Sequence, residues 1–313
     1  MIPSLLVFFK TKTWYEDDTR TNKINKGGVI IISNHRTIVD GIVIALRFFF
    51  KRFYFLAADF YKNKRKLLKF IISTAGGIFV DVEGRSCNFM EKCKKLCAKG
   101  HSLLIFPEGG FQFAYEPSKF NPGYIAIAVN TGAKIVPVIN DFNYGLFKRV
   151  HLMIGNSIDL SGYSASELTK EKLNEINEEI SGRFLMLFYK LKKKKAEKFS
   201  NKYKFISPKK GDVIRVSAGS HYHYGVYLNP GEVIQLGRTF NRPGENVVVN
   251  SVSLSEFCGE KIPEVRTLKK NEKKYLRKAD DTEKYAKSCI GQGRYSLADN
   301  NCIDFVNRVT LNI

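Results

Sequence analysis

Gly27-Gly28 runs directly into Val29-Ile30-Ile31-Ile32 and then into Ser33-Asn34. A β-branched run of this length, bounded by glycines on one side and small polar residues on the other, predicts a strand buried on both faces, as in a parallel sheet. The pattern recurs at Gly77-Ile78-Phe79-Val80, at Ser102-Leu103-Leu104-Ile105-Phe106 and at Lys134-Ile135-Val136-Pro137-Val138-Ile139. Helix-type stretches lie between these runs, from Asn88 to Ala98 and from Gly123 to Thr131. Strand–helix alternation predicts an α/β domain with a largely parallel sheet. Functional groups on such a sheet are expected in the loops at the carboxyl ends of strands.

The rest of the chain reads differently. Ser166 to Lys198 is one long helical pattern, with Glu171, Glu175, Glu178 and Glu179 early and cations late, an order that complements the helix dipole. Its end, Lys190 to Lys195, reads as a solvated helix end, with contact to anionic lipid as the second reading. The turn-rich Ser207-Pro208-Lys209-Lys210-Gly211-Asp212 marks a boundary. Beyond it the period shifts to two, predicting strands at Val213–Val216, Tyr224–Leu228 and Glu232–Leu236, with Asn229-Pro230-Gly231 as a turn. A helical stretch from Lys270 to Ile290 follows, and the chain closes on Asn301-Cys302-Ile303-Asp304-Phe305. The division is residues 1–200, α/β, and residues 207–313, a smaller α+β part.

Length agrees, since 313 residues are about twice a typical domain. Apolar residues at 44% and charged residues at 26% exclude a disordered chain. The formal net charge of +21, shared by both halves, suits an extended anionic partner, either a membrane leaflet or nucleic acid. No nucleic-acid-binding motif is present, which leaves the membrane. Six cysteines are too few for a disulfide scaffold, and no ligand spacing for a metal accompanies Cys93 and Cys97. The N-terminus lacks the features of a signal peptide. Gly41 to Phe60 is apolar but interrupted by Arg47, Lys51 and Arg52, which predicts a surface-lying amphipathic segment and not a membrane-spanning helix. The cationic Lys62, Lys64, Arg65, Lys66 and Lys69 beside Leu67, Leu68, Phe70, Ile71 and Ile72 read either as an amphipathic core helix or as a dock for an anionic membrane. The expectation is a cytoplasmic, peripheral-membrane protein.

Two constellations carry chemistry. In the first, Asn34-His35-Arg36-Thr37-Ile38-Val39-Asp40 follows a buried strand directly. Asp40, five residues on, can return to hold one imidazole nitrogen of His35, which fixes the tautomer and leaves the other nitrogen as a general base. Alone, such a pair is more often structural. Here it is followed by Ile105-Phe106-Pro107-Glu108-Gly109-Gly110 and Ile135-Val136-Pro137-Val138.

In that order these blocks resemble the glycerolipid acyltransferase family, whose best-known type is lysophosphatidate acyltransferase. The resemblance covers roughly residues 10–190. Asn34 to Asp40 matches the N-H-x4-D block, Gly76 to Asp81 the second, Phe106 to Gly110 the F-P-E-G block and Ile135 to Val138 the last. It implies that His35, oriented by Asp40, deprotonates a hydroxyl that attacks a fatty acyl thioester, and that Phe106, Pro107, Glu108 and Gly109 shape the acceptor site. Val82 stands where the family carries a phosphate-binding arginine, with Arg85 three residues later as its substitute. Gly110-Phe111-Gln112 replaces the family's Thr-Arg-Ser. Both departures remove groups suited to phosphate, so the acceptor expected is a lysophospholipid or glycerol phosphate-type molecule of an unusual kind. No cofactor is implied, because acyl-CoA or an acyl-carrier protein serves as donor substrate and the carrier protein as a partner.

In the second, His221-Tyr222-His223-Tyr224-Gly225-Val226-Tyr227 opens a strand, and Cys302 opens a helix-like run much later. A thiol at a helix N-terminus has its pKa lowered by the dipole, and a nearby histidine stabilises the thiolate. Gln235, twelve residues after His223 on the adjoining predicted strand, can share its face. This half, roughly residues 207–313, resembles the lecithin retinol acyltransferase-like family, a permuted papain-type fold. The resemblance implies Cys302 as nucleophile, His223 as base and Gln235 as orienter, moving acyl groups from phospholipids or hydrolysing them. Ile303-Asp304 replaces the family's usual Glu-His. The leading reading is an acyltransferase with an appended Cys/His acyltransferase or phospholipase domain. Its rivals are a cysteine peptidase or amidase in the second half, and a non-catalytic lipid-binding protein.

Overall fold

A computed structural model describes residues 10–17, 28–48, 53–58, 76–80, 88–117, 119–145, 148–237, 247–293, 295–296 and 300–313. Contacts divide the chain into two units, Met1–Phe188 and Tyr189–Ile313.

In the first unit the expected strands form β2 (Ile30–Ser33), β4 (Gly77–Val80), β5 (Ser102–Ile105) and β6 (Ile135–Asn140). Three further strands join them: β1 (Thr11–Tyr15), β3 (Phe53–Ala58) and β7 (Val150–Ile154). Their order is β1-β7-β6-β2-β5-β3-β4, parallel throughout except for the antiparallel β6–β7 pair. β2 is the middle strand. Ile30, Ile31 and Ile32 are fully buried, with Ile30 opposite Leu103 on one side and Ile135 on the other. Burying each such side chain contributes about 1.5–3 kcal/mol, which is why an unbroken β-branched run stands here and not an alternating one.

Pro137 sits inside β6 although proline cannot donate to a ladder. Its missing donor faces the place where β7 has ended. There Gly155 donates to the Pro137 carbonyl at 2.9 Å, and a Cβ on Gly155 would meet the proline ring at 2.7 Å. The glycine is what lets the chain pass so close.

Gly41 to Phe60 does not form the expected single surface segment. Its described residues split into α1 (Val39–Arg47) and β3. Helix α1 buries Val43, Ile44 and Leu46 and leaves Ile42 exposed, while Arg47 donates to Thr13 and Tyr15 of β1 at 2.6 and 3.1 Å. That cation is satisfied inside the unit, so its presence does not signal a surface. Helices α2 (Asn88–Ala98) and α3 (Gly123–Thr131) fall where expected. The long helix is α4 (Lys170–Ala196), and the boundary between units falls within it. No helix among the described residues is long and apolar enough to cross a membrane.

In the second unit six antiparallel strands lie in the order β12-β11-β10-β9-β13-β8. These are β8 (Lys202–Lys204), β9 (Val213–Ala218), β10 (His221–Asn229), β11 (Glu232–Gly237), β12 (Val248–Val252) and β13 (Glu264–Thr267). Helix α5 (Leu254–Cys258) brings Phe257 onto the face that holds Ile214, Val216 and Val233. Helix α7 (Cys302–Thr310) lies on the other face, where Arg266 donates to Asn307 and Thr310. The helix expected over residues 270–290 is shorter, α6 (Ala279–Ser288). Lys273–Tyr275 make a single 3-10 turn, and then Leu276 bridges to Leu311 and Arg277 donates its amide to the Thr310 carbonyl, which holds the chain extended up to the start of α6.

The lysine run is not the solvated helix end expected. Lys193 lies 3.6 Å from Asp304, Lys192 donates to the Ile313 carbonyl oxygen, and Lys195 is buried. The charges of Lys192 and Lys193 thus have partners within the same unit.

Candidate functional sites

The loop after β2 carries the first site. Asp40, on the first turn of α1, is fully buried, and its Oδ2 accepts from His35 Nδ1 at 3.0 Å. The same oxygen accepts from the amides of Arg36 and Thr37 at 2.6 and 2.7 Å. Its Oδ1 accepts from the Tyr144 hydroxyl and from Asn140 Nδ2. Every partner donates, which suits a carboxylate. Because Nδ1 is engaged, His35 Nε2 is the nitrogen left to act.

The imidazole is held from its faces as well. Phe106 stacks on it with centroids 3.8 Å apart and an 11° angle, and Phe111 leans on it at 4.5 Å. Glu108 accepts from the His35 amide at 2.9 Å, and Gln112 donates to the His35 carbonyl at 2.8 Å. The loop after β5 therefore clamps the loop after β2. Pro107 is buried, with its carbonyl taking the Asn121 amide at 2.7 Å. Gly109 turns the loop at a φ of 74°, in the region that favours glycine. Of the four residues expected to shape an acceptor site, Glu108 lines the adjoining cleft, while Phe106 grips the histidine and Pro107 and Gly109 set the loop's path. The cleft is shallow and open to solvent, lined by His35, Arg36, Glu108, Gln112, Tyr115, Glu116 and Phe142 among others. Arg36 lies over the Phe142 ring at 4.7 Å and donates to the Ala114 carbonyl at 2.7 Å. Arg85 and the Lys62–Lys69 cluster lie outside the described residues.

Asn34 and Asn140 exchange hydrogen bonds: Asn34 Nδ2 donates to the Asn140 carbonyl at 2.8 Å, and the Asn140 amide returns one to Asn34 Oδ1 at 2.9 Å. Asn140 and Tyr144 are missed by sequence reasoning. A polar residue ending the apolar run of β6 is a faint signal for Asn140; Tyr144, in a loop, carries none. The tyrosine's pKa is pushed far up by burial and then by the adjacent Asp40.

The second site is built on β10 and β11. Their register puts Gly225 opposite Gln235, so His223 and Gln235 share a face. His223 Nε2 stands 2.7 Å from Gln235 Oε1, and Gln235 is fully buried. Burial lowers the His223 pKa against the opposing pull of the Gln235 bond. Phe257 leans on the ring at 5.3 Å. His221 is exposed at the strand's start.

Cys302 is the first residue of α7, behind an Asn301 cap that accepts from the amides of Ile303 and Asp304. Its Sγ lies 4.0 Å from the Tyr222 carbonyl, and the Tyr224 amide favours its thiolate. The thiol thus borders the β10 backbone on both sides of His223 in sequence, whereas the His223 side chain lies on the face that holds Val216 and Phe257, away from α7. Among the described residues no hydrogen bond joins it directly to the imidazole. The expectation of a lowered thiol pKa is corrected: burial pushes it up, and nearby Asp304 adds to the rise, outweighing the amides of Tyr224, Ile303 and Cys302 itself. At rest the pair is a thiol and a neutral imidazole.

Residues 15–140 match the family model described as Acyltransferase, and residues 206–312 match the one described as Lecithin retinol acyltransferase. The crystal structure of the 1-acyl-sn-glycerophosphate (LPA) acyltransferase PlsC from Thermotoga maritima is similar at 22% identity, over 56% of this chain and 71% of that one, with a TM-score of 0.41. No curated protein matches the chain.

Proposed function

We propose, for a chain that joins an acyltransferase-family segment to a lecithin retinol acyltransferase-family segment, that both halves move fatty acyl groups. In the first half an acyl thioester, carried on coenzyme A or on a carrier protein, is the donor, and a lysophospholipid or glycerol phosphate-type hydroxyl is the acceptor. The observation that carries this reading is the His35–Asp40 pair, clamped at the mouth of an open cleft with Nε2 free to act. As the acceptor oxygen bonds to the acyl carbon, its proton passes to His35 Nε2; the carbon–sulfur bond then breaks and the leaving thiolate takes that proton. Asp40 keeps Nδ1 protonated throughout and stabilises the imidazolium.

In the second half Cys302 Sγ bonds to the acyl carbon of a phospholipid ester while its proton passes to His223, which donor binding must first bring to the thiol. The ester carbon–oxygen bond then breaks, the leaving lysolipid oxygen takes that proton, and a hydroxyl or water later releases the acyl group from the sulfur. Unliganded sites often hold such pairs too far apart for a hydrogen bond. Gln235 orients His223. A permuted papain-type arrangement suits the order of histidine strand, amide strand and cysteine helix. Both halves would work at the surface of an anionic membrane.

The test incubates the full chain with labelled acyl thioester and a lysolipid panel, then with labelled phospholipid alone. His35→Ala should lower thioester-dependent transfer by about 10²–10⁴-fold, the usual cost of losing a general base. Cys302→Ser should abolish a hydroxylamine-sensitive acyl group on the protein while leaving that transfer intact. Full transfer by His35→Ala overturns the first assignment, and labelling that survives Cys302→Ser overturns the second.

A further inference from the structure

Asn250 of β12 lies directly opposite Gln235 of β11. Its side-chain amide donates to two backbone carbonyls, Gly237 at 2.8 Å and Val248 at 3.2 Å. Only the NH2 end of an amide can face two carbonyls, so Asn250 Oδ1 is the end turned toward Gln235. Gln235 must answer with Nε2, and does so at 3.0 Å. Its Oε1 is thereby turned to His223, 2.7 Å from Nε2. A carbonyl oxygen can only accept, so His223 Nε2 carries the hydrogen and Nδ1 keeps the lone pair.

Each link in this chain fixes the next, and the first is fixed by main chain. Neither amide can turn over without setting donor against donor or acceptor against acceptor. Gln235 is fully buried, which shields the middle link from competing water. Without Asn250, Gln235 is free to rotate half a turn and offer Nε2 to His223. The imidazole would then have to accept at Nε2 and protonate at Nδ1, losing its base toward a thiol.

We propose that Asn250 is a positioning residue that sets the tautomer of His223, holding Nδ1 as the proton acceptor for Cys302. The proposal rests on the reading of His223 as the base of the second site, and its test reads the tautomer separately from activity. The full chain, carrying 15N-histidine at its five positions, is observed by NMR at about pH 8, where imidazole is neutral. The His223 signals are identified by their loss in His223→Gln. Wild type should show a protonated Nε2 and a bare Nδ1. Asn250→Leu should shift His223 toward the Nδ1-protonated form and slow acylation of Cys302 by about tenfold or more. Gln235→Glu in the Asn250→Leu background should restore the wild-type tautomer, because a carboxylate has no donor face to turn. Asn250→Ser, whose short hydroxyl cannot span both carbonyls and Gln235, should shift the tautomer in the same direction, which keeps the test open should Asn250→Leu fail to fold. A wild-type Nδ1-protonated His223, or a tautomer unmoved by Asn250→Leu, overturns the proposal. A tautomer that responds as stated while no acyl donor marks Cys302 upholds it and overturns the nucleophile assignment instead.

Discussion

Asp40 has no exposure to water, and the group that reaches it from farthest along the chain is the Tyr144 hydroxyl. A hydrogen bond to a charged group contributes about 1.5–3 kcal/mol, more than a bond between neutral partners. Tyr144→Phe keeps the ring and removes only the donor. Denaturant unfolding of that variant should show a loss of about 1.5–3 kcal/mol, while the Arg36 and Thr37 amides still aim the carboxylate at His35. An unchanged unfolding midpoint would show that Tyr144 takes no part in holding the charge. His35 and Asp40 were legible because their relation is local, five residues across one turn. Tyr144, Asn140 and Asn250 were not, because only strand order brings them to their partners. The thiol was legible as a nucleophile candidate but not in its protonation: a helix N-terminus is visible in sequence, whereas the burial that overrides it is not.

Among the elements, β2, β4, β5 and β6 announced themselves through short apolar runs, the first three with glycine or serine at a border. The segment that became α1 and β3 did not, since an apolar stretch with scattered cations reads alike whether it lies on a surface or is cut into a helix and an inner strand. Arg47 misled for the same reason: its partners, Thr13 and Tyr15, belong to a strand that the sequence did not reveal. Helix α7 is better marked. Asn301 caps it through two amides, and Asp304 returns a bond to the Asn301 amide at 3.3 Å, a reciprocal box. Removing such a cap costs about 1 kcal/mol. Asn301→Ala should lower the stability of the full chain by about that amount in thermal unfolding, and loosen the helix end that carries Cys302. A variant as stable as wild type would mean that the box is idle.

For the whole molecule, a net charge of +21 sets a long-range field even though the Lys192–Lys195 group is occupied internally. Binding to vesicles with anionic lipid should therefore fall steeply as salt rises, each cation near the surface contributing on the order of 1 kcal/mol. Neutralising Lys62, Lys64, Arg65, Lys66 and Lys69 should weaken co-sedimentation, and Lys192→Gln should not. Binding indifferent to salt and to lipid charge would rule out an electrostatic dock.

The exchange of hydrogen bonds between Asn34 and Asn140 spans 106 residues of chain. Its consequence is one of timing. During synthesis His35 and Asp40 emerge early, but the strand that anchors their loop arrives only after α3, and contacts so distant in sequence are among the slower to form. An N-terminal fragment ending before Ile135 would contain the whole base and its carboxylate and still lack the amide that holds them to the sheet. If His35 is the base proposed above, a nascent chain should gain that base in its working position only when β6 docks, late in the first unit's synthesis.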